Sequence, residues 1–194
     1  MKRLSIRERV SDRRGLNLIE LAIVMAVVGL IIGGIYIAAS SVYRNVREST
    51  TSEDLLQVVQ NVKSTYGAQG QIIAGAITAT QAQAAGLVPA DMIQIVAGAP
   101  TFVNAFGGTV TLNGVAGPPG QVQITFNGIP QSVCSDLAVK TTSVGVTGAA
   151  NSGLESVTVG ATLEPQANFP ITPVTASGAC TSPTGPIEFV YNIN

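Results

Sequence analysis

Histidine and tryptophan are absent from the 194 residues, and only two cysteines, Cys134 and Cys180, are present. Without histidine there is no Ser-His-Asp or Cys-His relay, no His-ligated zinc or haem and no imidazole proton shuttle. Two isolated cysteines cannot build a four-thiolate metal site. Charge is scarce too: charged side chains make up 11% of the chain against 46% hydrophobic. Such a chain can bury a core but has few solubilising groups. No GxSxG elbow, phosphate-binding P-loop, post-strand GxGxxG or N-x-Ser/Thr sequon occurs. Asp91, Asp136, Glu155, Glu164 and Glu188 are dispersed, read as surface charges and form no calcium loop. The expectation is a chain with no catalytic residues, no cofactor and no metal.

What charge there is lies unevenly. Residues 1–15 hold six of the ten basic side chains (Lys2, Arg3, Arg7, Arg9, Arg13, Arg14) against Glu8 and Asp12. From Leu16 onward, four basic groups face nine acidic ones. A body this acidic is a poor match for phosphate backbones, so no nucleic-acid contact by the head is expected.

Residues 21–39 then run for 19 positions without a charge. At about 1.5 Å per helical residue they span roughly 28 Å, close to the hydrocarbon thickness of a bilayer. The basic block ahead of the run stays cytoplasmic under the positive-inside rule, which places everything after about Ser40 on the far side. A secretory signal cut near Ala38-Ala39-Ser40 is one reading, although the run exceeds an ordinary signal core and continues into SSVYRNVREST without a turn. A retained single-span anchor is another.

A third reading comes from Arg13-Arg14-Gly15-Leu16-Asn17-Leu18-Ile19-Glu20. This stretch resembles the processing site of type IV prepilins: a basic leader ending in Gly, an apolar first mature residue, and Glu at the fifth mature position ahead of an unbroken apolar helix. The resemblance implies cleavage between Gly15 and Leu16 by a prepilin peptidase, N-methylation of Leu16, and retention of the apolar helix. Leu in place of Phe at the first mature position, and the 15-residue leader, look more like the type IVb class. A carboxylate in a hydrocarbon-facing helix is costly unless paired, whereas one at headgroup level costs little and complements the positive helix end. Between Leu16 and Arg44 the only cation on offer is an amino terminus. Glu20 in a filament core is therefore expected to meet the Leu16 amino group of a neighbouring subunit, as the resemblance also implies. Gly29, Gly33 and Gly34 permit close helix packing or a weakened stretch of helix, and both readings stay open.

Leu55, Val59, Val62 and Tyr66 lie on one helical face, so one helix is expected from about Leu16 to Tyr66, stopped by Gly67. Residues 67–100 read as an irregular connection, with short helical turns ending at Gly86 and around Asp91-Met92-Ile93. PTFVNAFGGTVTLNG and QVQITFNGIP read as two arms of a hairpin around Gly117-Pro118-Pro119-Gly120. Asn104-Ala105-Phe106-Gly107-Gly108 is similar to the Asn-Pro/Ala-aromatic-Gly-Gly opening of type IVb pilin heads. A helix is expected over Gln131–Lys140, a strand over Ser156–Leu163 and a terminal strand over Ile187–Ile193. Cys134 and Cys180, on the exported side, read as a disulfide or as two buried thiols. Their spacing resembles the disulfide-bounded C-terminal region of type IV pilins, again with the large enclosed segment of type IVb.

The expected fold class is thus α+β, the type IV pilin fold: a long N-terminal helix on an antiparallel head. Four segments are expected: 1–15 leader, 16–40 apolar transmembrane and filament-core helix, 41–67 amphipathic continuation, and 68–194 globular head. The implied function is a structural subunit of a type IVb pilus serving adhesion, aggregation or conjugative contact. Its partners would be copies of itself, the prepilin peptidase, the pilus assembly machinery and the inner membrane that holds the precursor before it reaches the cell surface. A pseudopilin of a type II secretion system, a minor pilin, and a membrane-anchored periplasmic binding protein remain alternatives.

Overall fold

The structure, a computed structural model, describes residues 17–68, 74–117, 119–143, 153–181 and 185–193. The leader, the Gly15–Leu16 position and Pro118 of the expected hairpin loop lie outside the described residues. The chain divides into two units, one ending at Tyr43 and the other running from Arg44 to Asn194.

Helix α1 (Leu18–Tyr66) forms because 49 residues rich in Leu, Ile, Val and Ala contain no proline. Glu20 sits in its first turn and Lys63 in its last, each complementing the helix dipole. The helix stops at Gly67, whose N–H donates to the Lys63 carbonyl at 2.7 Å. A Cβ there would collide with that carbonyl and press on the Ile193 carbonyl oxygen.

In the second unit, β1 (Gly75–Ile77) leads to α2 (Ala79–Ala84), opened by a Thr78/Gln81 capping box. A 3₁₀ turn (Ala90–Met92) precedes β2 (Ile93–Val96) and β3 (Ala99–Phe102), a two-stranded sheet of its own. Ala97 and Gly98 make its two-residue turn with φ of 52° and 83°, the positive values a tight hairpin needs. Then come β4 (Val110–Val115), β5 (Gln121–Phe126), α3 (Gln131–Ser143), β6 (Leu154–Val159), β7 (Thr162–Pro165), α4 (Pro173–Ala179) and β8 (Ile187–Asn192). The main sheet is antiparallel throughout, in the order β1-β4-β5-β8-β6-β7.

Two expectations are corrected. PTFVNAFGGTVTLNG is one apolar run in the sequence but two strands in different sheets, because the Asn104–Gly108 turn breaks it. The strand expected over Ser156–Leu163 is a tight hairpin: Gly160, at φ 60°, reverses the chain between β6 and β7.

The core lies between the inner sheet face and the second half of α1. Leu55, Val58, Val59 and Val62 join Leu112, Ile124, Phe126, Leu154, Val157 and Phe189 in one buried apolar cluster. Each such side chain contributes about 1.5–3 kcal/mol relative to exposure. Phe126 and Phe189 meet edge to face with centroids 6.3 Å apart. Tyr66, expected on the same stripe, is half-buried at its end.

Candidate assembly helix and head surface

In the first unit, α1 presents its apolar side chains outward over its whole circumference. Leu18, Leu30 and Ile37 are 83%, 79% and 74% exposed. Among the described residues, α1 is the one helix long and apolar enough to cross a membrane. Its polar groups make little demand: Ser40 and Ser41 donate back to the Ile37 and Ala38 carbonyls at 2.8 and 2.9 Å. A surface that is apolar on all sides suits lipid or other helices, not water. Glu20, in the first turn, is the single charged residue of α1 before Arg44.

In the second unit, the buried stripe of α1 begins earlier than the apolar pattern suggests. Glu48, Thr51 and Asp54 are buried in phase with Leu55, Val58 and Val62. The i, i+3, i+4 rhythm run backward from Leu55 marks these positions, but polar side chains hid them from a search for apolar residues. Glu48, 5% exposed, pairs with Lys140 of α3. Asp54, 6% exposed, borders a cavity of about 300 Å³ whose lining includes Arg47, Thr50, Asp91, Asn104 and Phe106. Burial, then the nearby Asp91 and Glu53 carboxylates, push the Asp54 carboxyl up from 3.8 to about 6.

The Asn104-Ala105-Phe106-Gly107-Gly108 segment is a hydrogen-bonded knot. The Asn104 Oδ1 accepts from the N–H groups of Phe106 (2.9 Å) and Gly108 (3.1 Å). Its Nδ2 donates to the Asn127 carbonyl at 2.8 Å, stitching the turn to the end of β5. Gly107 sits at φ 84°, and a Cβ on Gly108 would collide with the Asn127 carbonyl. The residue types therefore follow from geometry: an amide to bridge, one glycine for positive φ, one for close approach.

Cys134 and Cys180 are joined in a disulfide, their Cα atoms 6.1 Å apart. Cys134 lies in the first turn of α3 and Cys180 caps the end of α4, so the bond clamps the two flanking helices together. Thr142 adds a second clamp: its buried Oγ1 accepts from the Ile171 N–H at 3.2 Å. Glu155, Glu164 and Glu188 accept from Asn192, Asn168 and Thr125 respectively. Of the sequence-predicted site residues, the structure brings the two cysteines together, while Glu20 belongs to the other unit.

An exposed apolar helix and a disulfide-clamped α+β head of this topology define a type IV pilin fold. The structure resembles the crystal structure of a type IV b pilin from Salmonella typhi with a TM-score of 0.52 at 22% identity, covering 75% of this chain and 99% of that one. TcpA, a type IV pilin from Vibrio cholerae El Tor biotype, gives a TM-score of 0.43 at 17% identity, covering 75% of this chain and 97% of that one. No curated protein sequence matches the chain. The family model described as PilS N terminal matches residues 45–192, about three quarters of the chain, and the chain belongs to that family. It has the type IV pilin fold, and that family and fold are those of structural subunits and not of enzymes.

Proposed function

We propose that the chain is the precursor of a type IVb pilus subunit, cut between Gly15 and Leu16, N-methylated on Leu16 and polymerised into a surface filament. Residues 1–15 are the leader, 16–40 the membrane and filament-core helix, 41–67 its amphipathic continuation and 68–194 the head. The precursor waits in the inner membrane with its basic residues on the cytoplasmic side. One observation carries this reading: a pilin-family head follows a helix whose 19 uncharged residues come directly after Glu20. In the membrane, Glu20 sits at headgroup level. In a filament core its carboxylate needs a cation, and the amino group of a neighbour's Leu16 is the group of the right charge. Helix packing supplies cohesion, and the Glu20 pair sets the axial register.

The experiment is purification of surface filaments by shearing, with intact-mass analysis of their main subunit. The proposal expects a chain beginning at methylated Leu16. Recovery of the chain with residues 1–15 retained, or beginning at Ser41, refutes it.

A further inference from the structure

The cavity bordered by Asp54 carries charge that the fold leaves unbalanced. Asp54 comes from the buried stripe of α1 and Asp91 from the 3₁₀ turn ahead of β2, and both border the same space of about 300 Å³. Asp54 is 6% exposed, and among the described residues no hydrogen bond or ion pair reaches its carboxylate. No buried side-chain oxygen among those residues lacks a partner, so the small surface that Asp54 keeps includes its carboxylate oxygens. That surface is part of the cavity wall.

Burial, Asp91 and Glu53 all push the Asp54 carboxyl toward its protonated form. Among the described residues, Arg47 is the one basic side chain on the wall. Three carboxylates (Asp54, Asp91, Glu53) against one guanidinium leave a formal balance of −2, which a single divalent cation cancels.

The donor set selects the kind of cation. The chain has no histidine and both cysteines are in the disulfide, so imidazole and thiolate ligands are out and oxygen remains. Magnesium demands a near-octahedral shell at about 2.0–2.1 Å, whereas calcium accepts about six to eight oxygens, water included, in a flexible shell at about 2.3–2.6 Å. Among the described residues no three metal-binding side chains cluster, so a site here has two carboxylates and draws the rest of its shell from neutral oxygens and water. That composition suits calcium at modest affinity.

We propose that the Asp54–Asp91 cavity binds one calcium ion, held by the two carboxylates and by neutral oxygens of Thr50, Gln94 and water. The ion ties α1 to the segment that carries the β2–β3 hairpin, a sheet separate from the main one. Its ligands stand on elements far apart in the chain, which is why no contiguous calcium loop marks them in the sequence. The inference is independent of the filament reading.

The test is pulse proteolysis of the full chain in detergent across a urea series at neutral pH, with EDTA or with about 2 mM calcium chloride. At a Kd of about 0.1 to 1 mM, common for extracellular sites, calcium is expected to shift the unfolding equilibrium about three- to twentyfold toward the folded state. Asp54→Asn and Asp91→Asn keep the side-chain shape, are expected to fold in EDTA, and should each abolish the shift. Glu188→Gln, on β8, should keep it. No calcium shift in the wild type overturns the site. A shift that survives in both Asn variants, or that choline chloride reproduces at equal ionic strength, overturns it too. Protection by propylammonium in place of calcium overturns the metal and assigns the cavity to an amine.

Discussion

Asp54→Asn should stabilise the head, and more so as the pH rises. Asp54 is 6% exposed, borders a cavity that Asp91 also lines, and has its carboxyl pKa pushed up to about 6 from 3.8 by burial and then by Asp91 and Glu53. The folded chain therefore holds this proton more tightly than the unfolded chain. The stabilising contribution is complete below about pH 4 and is lost as the pH climbs through 6. A displacement of about two units corresponds to roughly 2 to 3 kcal/mol between acid and pH 8, the lower figure allowing for water in the cavity. Asparagine keeps the shape and removes the charge, so the variant should gain that amount at pH 8 and almost nothing at pH 4. For a head of this size, that is a rise in Tm of roughly 5 to 10 °C at pH 8. Pulse proteolysis of the full chain in detergent, across a urea series at pH 4.5, 6 and 8, measures the difference between wild type and variant and cancels the titration of other carboxylates. A gain independent of pH, or a loss at pH 8, refutes the argument.

Cys180→Ser opens a loop whose ends are 46 positions apart and should cost roughly 4 kcal/mol on the chain-entropy account, seen as rapid protease digestion of the head with membrane insertion unchanged. Two reactive thiols in exported wild-type protein would contradict the bond. Gly108→Ala forces a Cβ against the Asn127 carbonyl and should destabilise by about 2 to 4 kcal/mol, whereas Ala105→Gly in the same turn should cost far less; equal effects in a denaturation series would remove the steric account. Glu20→Ala should leave membrane insertion intact and reduce filament yield, and normal yield from cells expressing only this variant would count against the pairing with Leu16.

The elements legible in the sequence are those with a strong local period. The span of α1 follows from an unbroken apolar run and a glycine stop, and β5 and β8 alternate so cleanly that their buried residues (Val122, Ile124 and Phe126; Ile187, Phe189 and Tyr191) can be read off. The helix over Gln131–Ser143 was also visible, ending three residues beyond the expected Lys140. Strand partnership was not legible, because alternation tells which face is buried and not which strand lies alongside. Nor was α4, a seven-residue helix whose signals are Thr172 as cap and Pro173 in the first turn, without an apolar stripe. Glu48 and Asp54 were not legible as buried because they continue the helical rhythm with carboxylates, which an apolar stripe does not count. Glu48 is covered by a lysine 92 residues away.

The sheet order carries a consequence for the timing of folding. Strands β5 and β6 do not pair with each other; each pairs with β8, at Ile187–Asn192. Until those six residues are in place, the head is two separate ribbons, β1-β4-β5 and β6-β7, each with an unsatisfied edge. An unpaired edge is sticky towards any passing strand. Inserting that strand thus works as a completion check: a chain clipped before Ile187 keeps its apolar helix but cannot close its head.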